Sequence, residues 1–320
     1  MRTFRVVAMG GGSGLSQLLR GLKRGPFEIT AIVTVADDGG STGRLREELG
    51  IPAPGDVRNV LTALAEAEAP LDRLIAYRFR TDGALNGHSV GNLLLAALTE
   101  IYGDFSRAVF ELSRILRVRG RVLPAANANV NLAAEFEDGT VVVGESRIPE
   151  VGKRIRRVFL VPEAPPALPE AVEAILKAEL VLLGPGSLFT SLIPNLLVSD
   201  LRDALCRTTA PKVYVVNLMT QPGETDGLGV VGHLRAVEEH VGRRCFDAVL
   251  VHTGEVPPEI AARYAAGGQF PVRDDGDLLE REGYRVIRGD FAQMGDTYYR
   301  HDGEKVGEAL LGLLGEPVRG

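Results

Sequence analysis

The sequence predicts an α/β fold: a doubly wound, mostly parallel sheet that carries a small antiparallel β insertion. Three observations predict it. Short apolar runs rich in β-branched residues alternate with segments whose apolar residues recur at helical spacing, the alternation that builds a parallel sheet. Several of these runs end directly in glycine-rich loops, the βα turns of such a sheet. Between about residues 119 and 162 the alternation stops, and strand-like segments follow one another around a hairpin signal.

The elements can be taken in order. FRVVAM reads as a strand, GGGSG as a turn and LSQLLRGLKRG as a helix. Leu15, Leu18, Leu19 and Leu22 share one helical face, and Arg20, Lys23 and Arg24 suit the negative end of the helix dipole. EITAIVTV then completes a βαβ unit. The loop ADDGGSTGR leads to helical stretches over Arg58–Ala67 and Leu71–Arg78. A long apolar helix starts near His88 and runs through NLLLAALTEIY, and another spans Ser106–Arg117. The predicted insertion comprises RVLPA, NVNLAAEFEDGTVVVGE and RIRRVFLV, with Asp138-Gly139 as the hairpin turn. It closes at the Pro-rich VPEAPPALPE. The alternation resumes with the strand ELVLLG, the helix LIPNLLVSDLRDALC, the strand KVYVVNL, the helix HLRAVEEHVG and the strand FDAVLVH, and ends in the helix EKVGEALLGLL. One domain over residues 1–320 is the economical division. Two domains meeting near residue 165 is the alternative.

Composition narrows the function classes. The chain has 320 residues, 45% hydrophobic and 24% charged, which suits a folded globular protein. A net charge of -6 argues against a broad nucleic-acid face. No apolar run reaches the roughly 18 residues of a membrane span. The N-terminal apolar run ends in glycines and reads as a first strand, not a signal peptide, so the expected compartment is the cytoplasm. Cys206 and Cys245 are too few for a disulfide scaffold and read as reduced small hydrophobes.

Six loops carry candidate chemistry. In the first, Gly10, Gly11, Gly12, Ser13 and Gly14 lie between a strand and a helix, where free N–H groups can face a phosphate. Leu15 fills the slot of a third spaced glycine, so the standard dinucleotide fingerprint fails. In the second, Asp37 and Asp38 follow strand two, where a carboxylate can hold Mg²⁺ or a ribose hydroxyl while its neighbour caps a helix. In the third, Asp56 reads as an N-cap. Arg58 and Asn59 sit in the first turn, where a cation opposes the dipole and implies an anionic ligand or a carboxylate partner.

The fourth loop, Asn86–Asn92, contains G-x-S-x-G without the strand that a nucleophile elbow needs. Ser89 therefore reads as a helix cap, with His88 and Asn92 facing a ligand. In the fifth, Gly184, Gly186 and Ser187 repeat the logic of the first loop, with Asn195 following, so the pair suggests two anionic groups or one diphosphate gripped from both sides. In the sixth, Asn217 opens NLMTQPGET at the end of a strand, and His233 lies just beyond. His240, His252 and His301 read as structural. No zinc spacing and no P-loop lysine motif occur.

Taken together, GGGSGLSQLLRGLK, TVADDGGSTGRLR, PGDVRNVLTAL, NGHSVGNLLLAAL, GPGSLFTSLIPNLLV and NLMTQPGET resemble, in this order, the gluconeogenesis factor family, distant relatives of the 2-phospho-L-lactate transferases. The resemblance implies a Rossmann-like three-layer fold that binds a UDP-sugar, notably UDP-N-acetylglucosamine. It also implies a role in growth on gluconeogenic carbon sources, cell shape and peptidoglycan supply, with no assigned reaction. In the related transferases, aspartates after strand two hold a metal. Asp37 and Asp38 match them, and Asp56 matches less closely. The leading expectation is a sensor that binds a nucleotide-sugar without turnover. Its alternative is a Mg²⁺-dependent transferase using Asp37, Asp38 and Asp56. A homodimer is the expected assembly.

Overall fold

The alternation becomes one seven-stranded sheet in a computed structural model of the chain, which describes residues 2–66, 69–295 and 298–315. The strands are β1 (Phe4–Gly10), β2 (Phe27–Val33), β3 (Arg121–Pro124), β4 (Asn131–Phe136), β5 (Val141–Val143), β6 (Ile155–Val161), β7 (Leu180–Leu183), β8 (Lys212–Val215), β9 (Ala248–His252), β10 (Arg285–Gly289), β11 (Ala292–Met294) and β12 (Tyr299–His301). The helices are α1 (Gly12–Leu22), α2 (Gly40–Leu49), α3 (Pro54–Leu64), α4 (Ala69–Ala76), α5 (Val90–Tyr102), α6 (Phe105–Ile115), α7 (Pro169–Lys177), α8 (Ile193–Leu197), α9 (Ser199–Arg207), α10 (Val230–Val241), α11 (Pro258–Ala266), α12 (Asp277–Arg281) and α13 (Gly303–Gly315).

The main sheet runs β10-β9-β8-β7-β1-β2-β3, and every pair in it is parallel. β7 is buried throughout, as is most of β1, as strands covered on both faces must be. Helices α1, α3, α5 and α6 pack on one another, α13 packs on α1, and α7–α10 form a second group. This is the doubly wound arrangement that the alternation predicts and the three-layer fold that the resemblance implies. A smaller antiparallel sheet, β5-β4-β6, forms separately, with Gly139 at φ +83° in its hairpin.

Four local readings change. RVLP belongs to the main sheet, where Thr30 pairs with Arg121 and Val33 with Pro124, so the antiparallel sheet starts only at Asn131. A four-residue apolar run has no feature that distinguishes a parallel from an antiparallel neighbour. The helix LIPNLLVSDLRDALC is broken: a π-turn over Leu188–Leu192 and α8 precede α9, and extended Val198 divides the last two. α3 begins at Pro54, whose fixed φ suits the first turn, so Asp56 lies inside that turn and is not its cap. Its expected reach to Ala67 lies outside the described residues. Finally, Cys206 and Cys245, 39 positions apart, meet with their Sγ atoms 2.6 Å apart. Among the described residues no helix is long and apolar enough to cross a membrane.

Candidate functional site

From β1 the chain winds outward to β2 and β3 on one side, and from β7 to β8, β9 and β10 on the other. The loops leaving β1 and β7 therefore diverge and leave a crevice at the carboxyl edge, where open α/β sheets bind ligands. Both loops are glycine-rich for a steric reason. A Cβ on Gly14 would stand 2.8 Å from the Pro185 carbonyl oxygen, and one on Gly186 would stand 3.3 Å from the Gly11 oxygen. The two loops thus pack backbone on backbone. Because α1 begins at Gly12, residues Gly12–Gly14 form its first turn, whose N–H groups have no partner within the helix.

Side chains from β8 and α8 hold this pair of loops. Asn217 accepts from Gly186 N at 3.1 Å and donates to Gly186 O at 2.7 Å. Gln221 donates to Ser187 Oγ at 2.8 Å. Asn195 is 0% exposed and donates to Gly10 O at 3.2 Å and Ser191 O at 2.9 Å. It therefore braces the loop from behind and does not face a ligand.

In front of the loops lies a cavity of about 450 Å³, lined by Gly11–Gly14, Gly186, Ser187 and Asn217 on one side and by Tyr264, Arg300 and His301 on the other. The second group comes from the C-terminal third, which the sequence reading passed over. Gly303 packs against the Leu18 oxygen and Gly21, so α13 lies close on α1. That contact delivers the end of β12 to the start of α1, and Arg300 donates to Ser13 Oγ at 2.8 Å. His301, read from sequence as structural, lines the cavity at 5% exposure, and its Nε2 has no partner among the described residues. Burial first, and His252 second, lower its pKa to about 3, so it is neutral. The only forward signal for it was the polar, aromatic run TYYRH.

Beneath the loops lies a set of carboxyl groups held above their usual range. Asp56 accepts the Gly12 N–H, and burial followed by the charge of Asp37 raises its pKa to about 7. Glu145, from the turn after β5, is raised to about 8 by burial, then by Asp37 and Asp56. Glu224 accepts from Phe189 N at 3.2 Å and Thr190 Oγ1 at 3.1 Å and is raised to about 7 by burial. Asp37 and Asp38 diverge: Asp37 Oδ1 accepts from Gly39 N at 2.9 Å, and Asp38 Oδ1 from Ser146 N at 2.8 Å. Among the described residues no group of three or more His, Cys, Asp or Glu is arranged to hold a metal.

Known proteins share this arrangement. The family described as 2-phospho-L-lactate transferase CofD matches residues 6–292. The chain belongs to the CofD family. Within it the chain is 52% identical over 311 residues to a gluconeogenesis factor of Halalkalibacterium halodurans, covering 97% of each chain. It is 51% identical to the gluconeogenesis factor of Bacillus subtilis, covering 98% of each. A crystal structure of a member of the UPF0052 family from Bacillus halodurans superposes with a TM-score of 0.94 at 51% identity, covering 97% of this chain and 100% of that one.

In this CofD-family chain the remaining candidates form a second polar region. Arg58, 8% exposed, donates to Ser89 Oγ at 2.7 Å and to Asn59 Oδ1 at 2.5 Å. Ser89 caps α5 as expected, accepting from Asn92 N at 3.2 Å. His88 Nδ1 and Asn92 Nδ2 both meet Ser41 Oγ, at 3.0 and 3.1 Å. Arg58, Asn59, His88 and Asn92 do not line the glycine-loop cavity. His233 also stays away from it, buried in α10 with Nδ1 donating to Gly229 O at 2.8 Å.

Proposed function

We propose that this CofD-family chain is a regulatory protein that binds a nucleotide-sugar of the UDP-N-acetylglucosamine type and links carbon metabolism to cell shape and cell-wall supply. One observation carries the reading: two glycine loops packed backbone on backbone at the switch point of the sheet, facing a cavity of about 450 Å³. That volume is in the range of small-molecule sites. The diphosphate rests at the first turn of α1, where the N–H groups of Ser13 and Gly14, left without partners inside the helix, and the helix dipole favour an anion. Ser187 and the Arg300 guanidinium face the same space and complement its charge. Tyr264 supplies an aromatic wall for the base. The name shared by the relatives, gluconeogenesis factor, supports a regulatory role.

A second reading, transfer of a phosphoryl-linked group assisted by Mg²⁺, is favoured by the family match to a transferase. A divalent ion would need the ligand's own phosphates to complete its coordination beside Asp37, as Mg²⁺ sites often do. Calorimetric titration with UDP-N-acetylglucosamine, with and without Mg²⁺, followed by mass spectrometry of the ligand, separates the two. Saturable binding with intact ligand, lost in Gly12→Asp, is the expected result. Cleavage or transfer moves the second reading ahead, and no binding defeats the nucleotide-sugar reading.

A further inference from the structure

One face of α1 continues beyond the glycine loops. Ser13, Ser16, Gln17 and Arg20 fall on it at helical spacing, and from Ser13 to Arg20 the helix rises about 10 Å. Ser13 and Gln17 line the glycine-loop cavity and also a second cavity of about 350 Å³, whose other walls include Arg20, Arg58 and Arg78. Among the described residues no Asp or Glu lines this second cavity. Arg58 is buried and, among the described residues, its guanidinium donates to the neutral oxygens of Ser89 and Asn59. Arg78 donates to the Gly87 carbonyl at 2.7 Å. Among the described residues none of the three arginines has a carboxylate within ion-pair distance. Asp56 and Asp37 act on Arg58 only at longer range, from the glycine-loop side. Burial first, and the charge of Arg78 second, work against the protonated form of Arg58. Three guanidiniums share a concave space in which, among the described residues, no carboxylate comes within ion-pair distance of them, and their planar donors match the oxygens of carboxylates and phosphates.

We propose that the cavity walled by Arg20, Arg58 and Arg78 binds a second anionic group, a carboxylate or phosphate, at the far end of the ligand whose diphosphate rests on the glycine loops. The placement along α1 rests on the function proposed above, whereas the anion site itself does not. The separation of about 10 Å along the helix suits one sugar ring and its linkages. Among nucleotide-sugars the site thus binds those whose sugar carries an acid more tightly than neutral ones, which are held by the glycine loops alone.

Two measurements test this. Calorimetry compares UDP-glucuronate with UDP-glucose, which differ only in a carboxylate in place of a hydroxymethyl group. Wild type is expected to prefer the glucuronate by roughly tenfold or more, the scale of a charge-assisted, bidentate contact. In the Arg20→Gln/Arg78→Gln variant, whose two altered residues are exposed and leave the core intact, the preference should collapse toward one. Equal affinities in wild type overturn the placement of this site at the far end of the ligand and leave the nucleotide-sugar reading standing. The second measurement needs no nucleotide: arginine labelling with phenylglyoxal, read by mass spectrometry, with and without millimolar inorganic phosphate. Slower labelling of Arg20 and Arg78, with exposed Arg154 as control, supports the anion site even if neither UDP-sugar binds. Labelling that phosphate leaves unchanged at both arginines, together with no preference for the glucuronate, sinks it.

Discussion

The loops after β1 and β2 leave adjacent strands paired from Phe4↔Phe27 to Gly10↔Val33, and both carry glycines, hydroxyls and a place for a ligand in their sequences. Their fates differ. The loop after β1 has almost no side chains, so its N–H groups have little of their own to bond, and a cavity opens in front of it. The loop after β2 satisfies itself. Asp37 and Asp38 accept backbone N–H groups, Ser41 joins His88 and Asn92, and buried Arg46 donates to Asp37 O at 2.8 Å, Asn129 Oδ1 at 2.8 Å, Val130 O at 2.5 Å and Asn131 Oδ1 at 2.9 Å. Side chains that could have held a ligand instead fasten the antiparallel sheet to the body of the fold. A polar loop is ready for a ligand only where its own groups cannot reach one another.

The contrast breaks most visibly at Arg46. Arg46→Ala leaves several buried acceptors unpaired and should cost about 3 kcal/mol. Urea melts should show that loss while ligand affinity at the glycine-loop cavity stays within about twofold. A large change in affinity would mean that the loop after β2 touches the ligand.

Gly14→Ala should act the other way. Its Cβ would press on the Pro185 carbonyl, so the loops must part, at a cost of about 2 kcal/mol. Calorimetry with UDP-N-acetylglucosamine should show at least a tenfold loss, larger than any stability change would produce.

The acids under the loops predict an inverted pH profile. Asp56, Glu145 and Glu224 have folded-state pKa values raised to about 7, 8 and 7. Between about pH 4 and 8 the folded chain keeps protons that the unfolded chain releases, so stability falls as pH rises through this window. Asp56→Asn keeps an acceptor for the Gly12 N–H and removes one ionisation. At pH 8 it should be more stable than wild type by about 3–4 kcal/mol, and the difference should shrink as pH falls, vanishing only below about pH 4. Thermal melts across that range check it, and a wild-type Tm that rises from pH 5 to 8 would contradict the assignment.

The smallest expected effect is at Ser41. Ser41→Ala removes the oxygen shared by His88 and Asn92 and should cost about 1 kcal/mol, with no change in binding. A binding defect here would make this polar cluster part of the ligand site.

Local order was legible in the chain. The βαβ opening, the glycine loops at strand ends, the Ser89 cap and the Asp138-Gly139 hairpin depend on neighbours a few residues apart, where helical or strand periodicity and turn chemistry act. The family resemblance rested on those same segments. What tertiary structure decided depends on distance in sequence. Ser13 meets Arg300 across 287 positions, and Glu145, carried in by the antiparallel sheet, feels the charges of Asp37 and Asp56. Asn195 in α8 and Asn217 just after β8 become braces because the backbone of the facing loops lies within their reach. The raised carboxyl groups, the neutral His301 and the cavity lined by three arginines exist only once burial removes water and brings remote charges together, and no local pattern encodes those conditions.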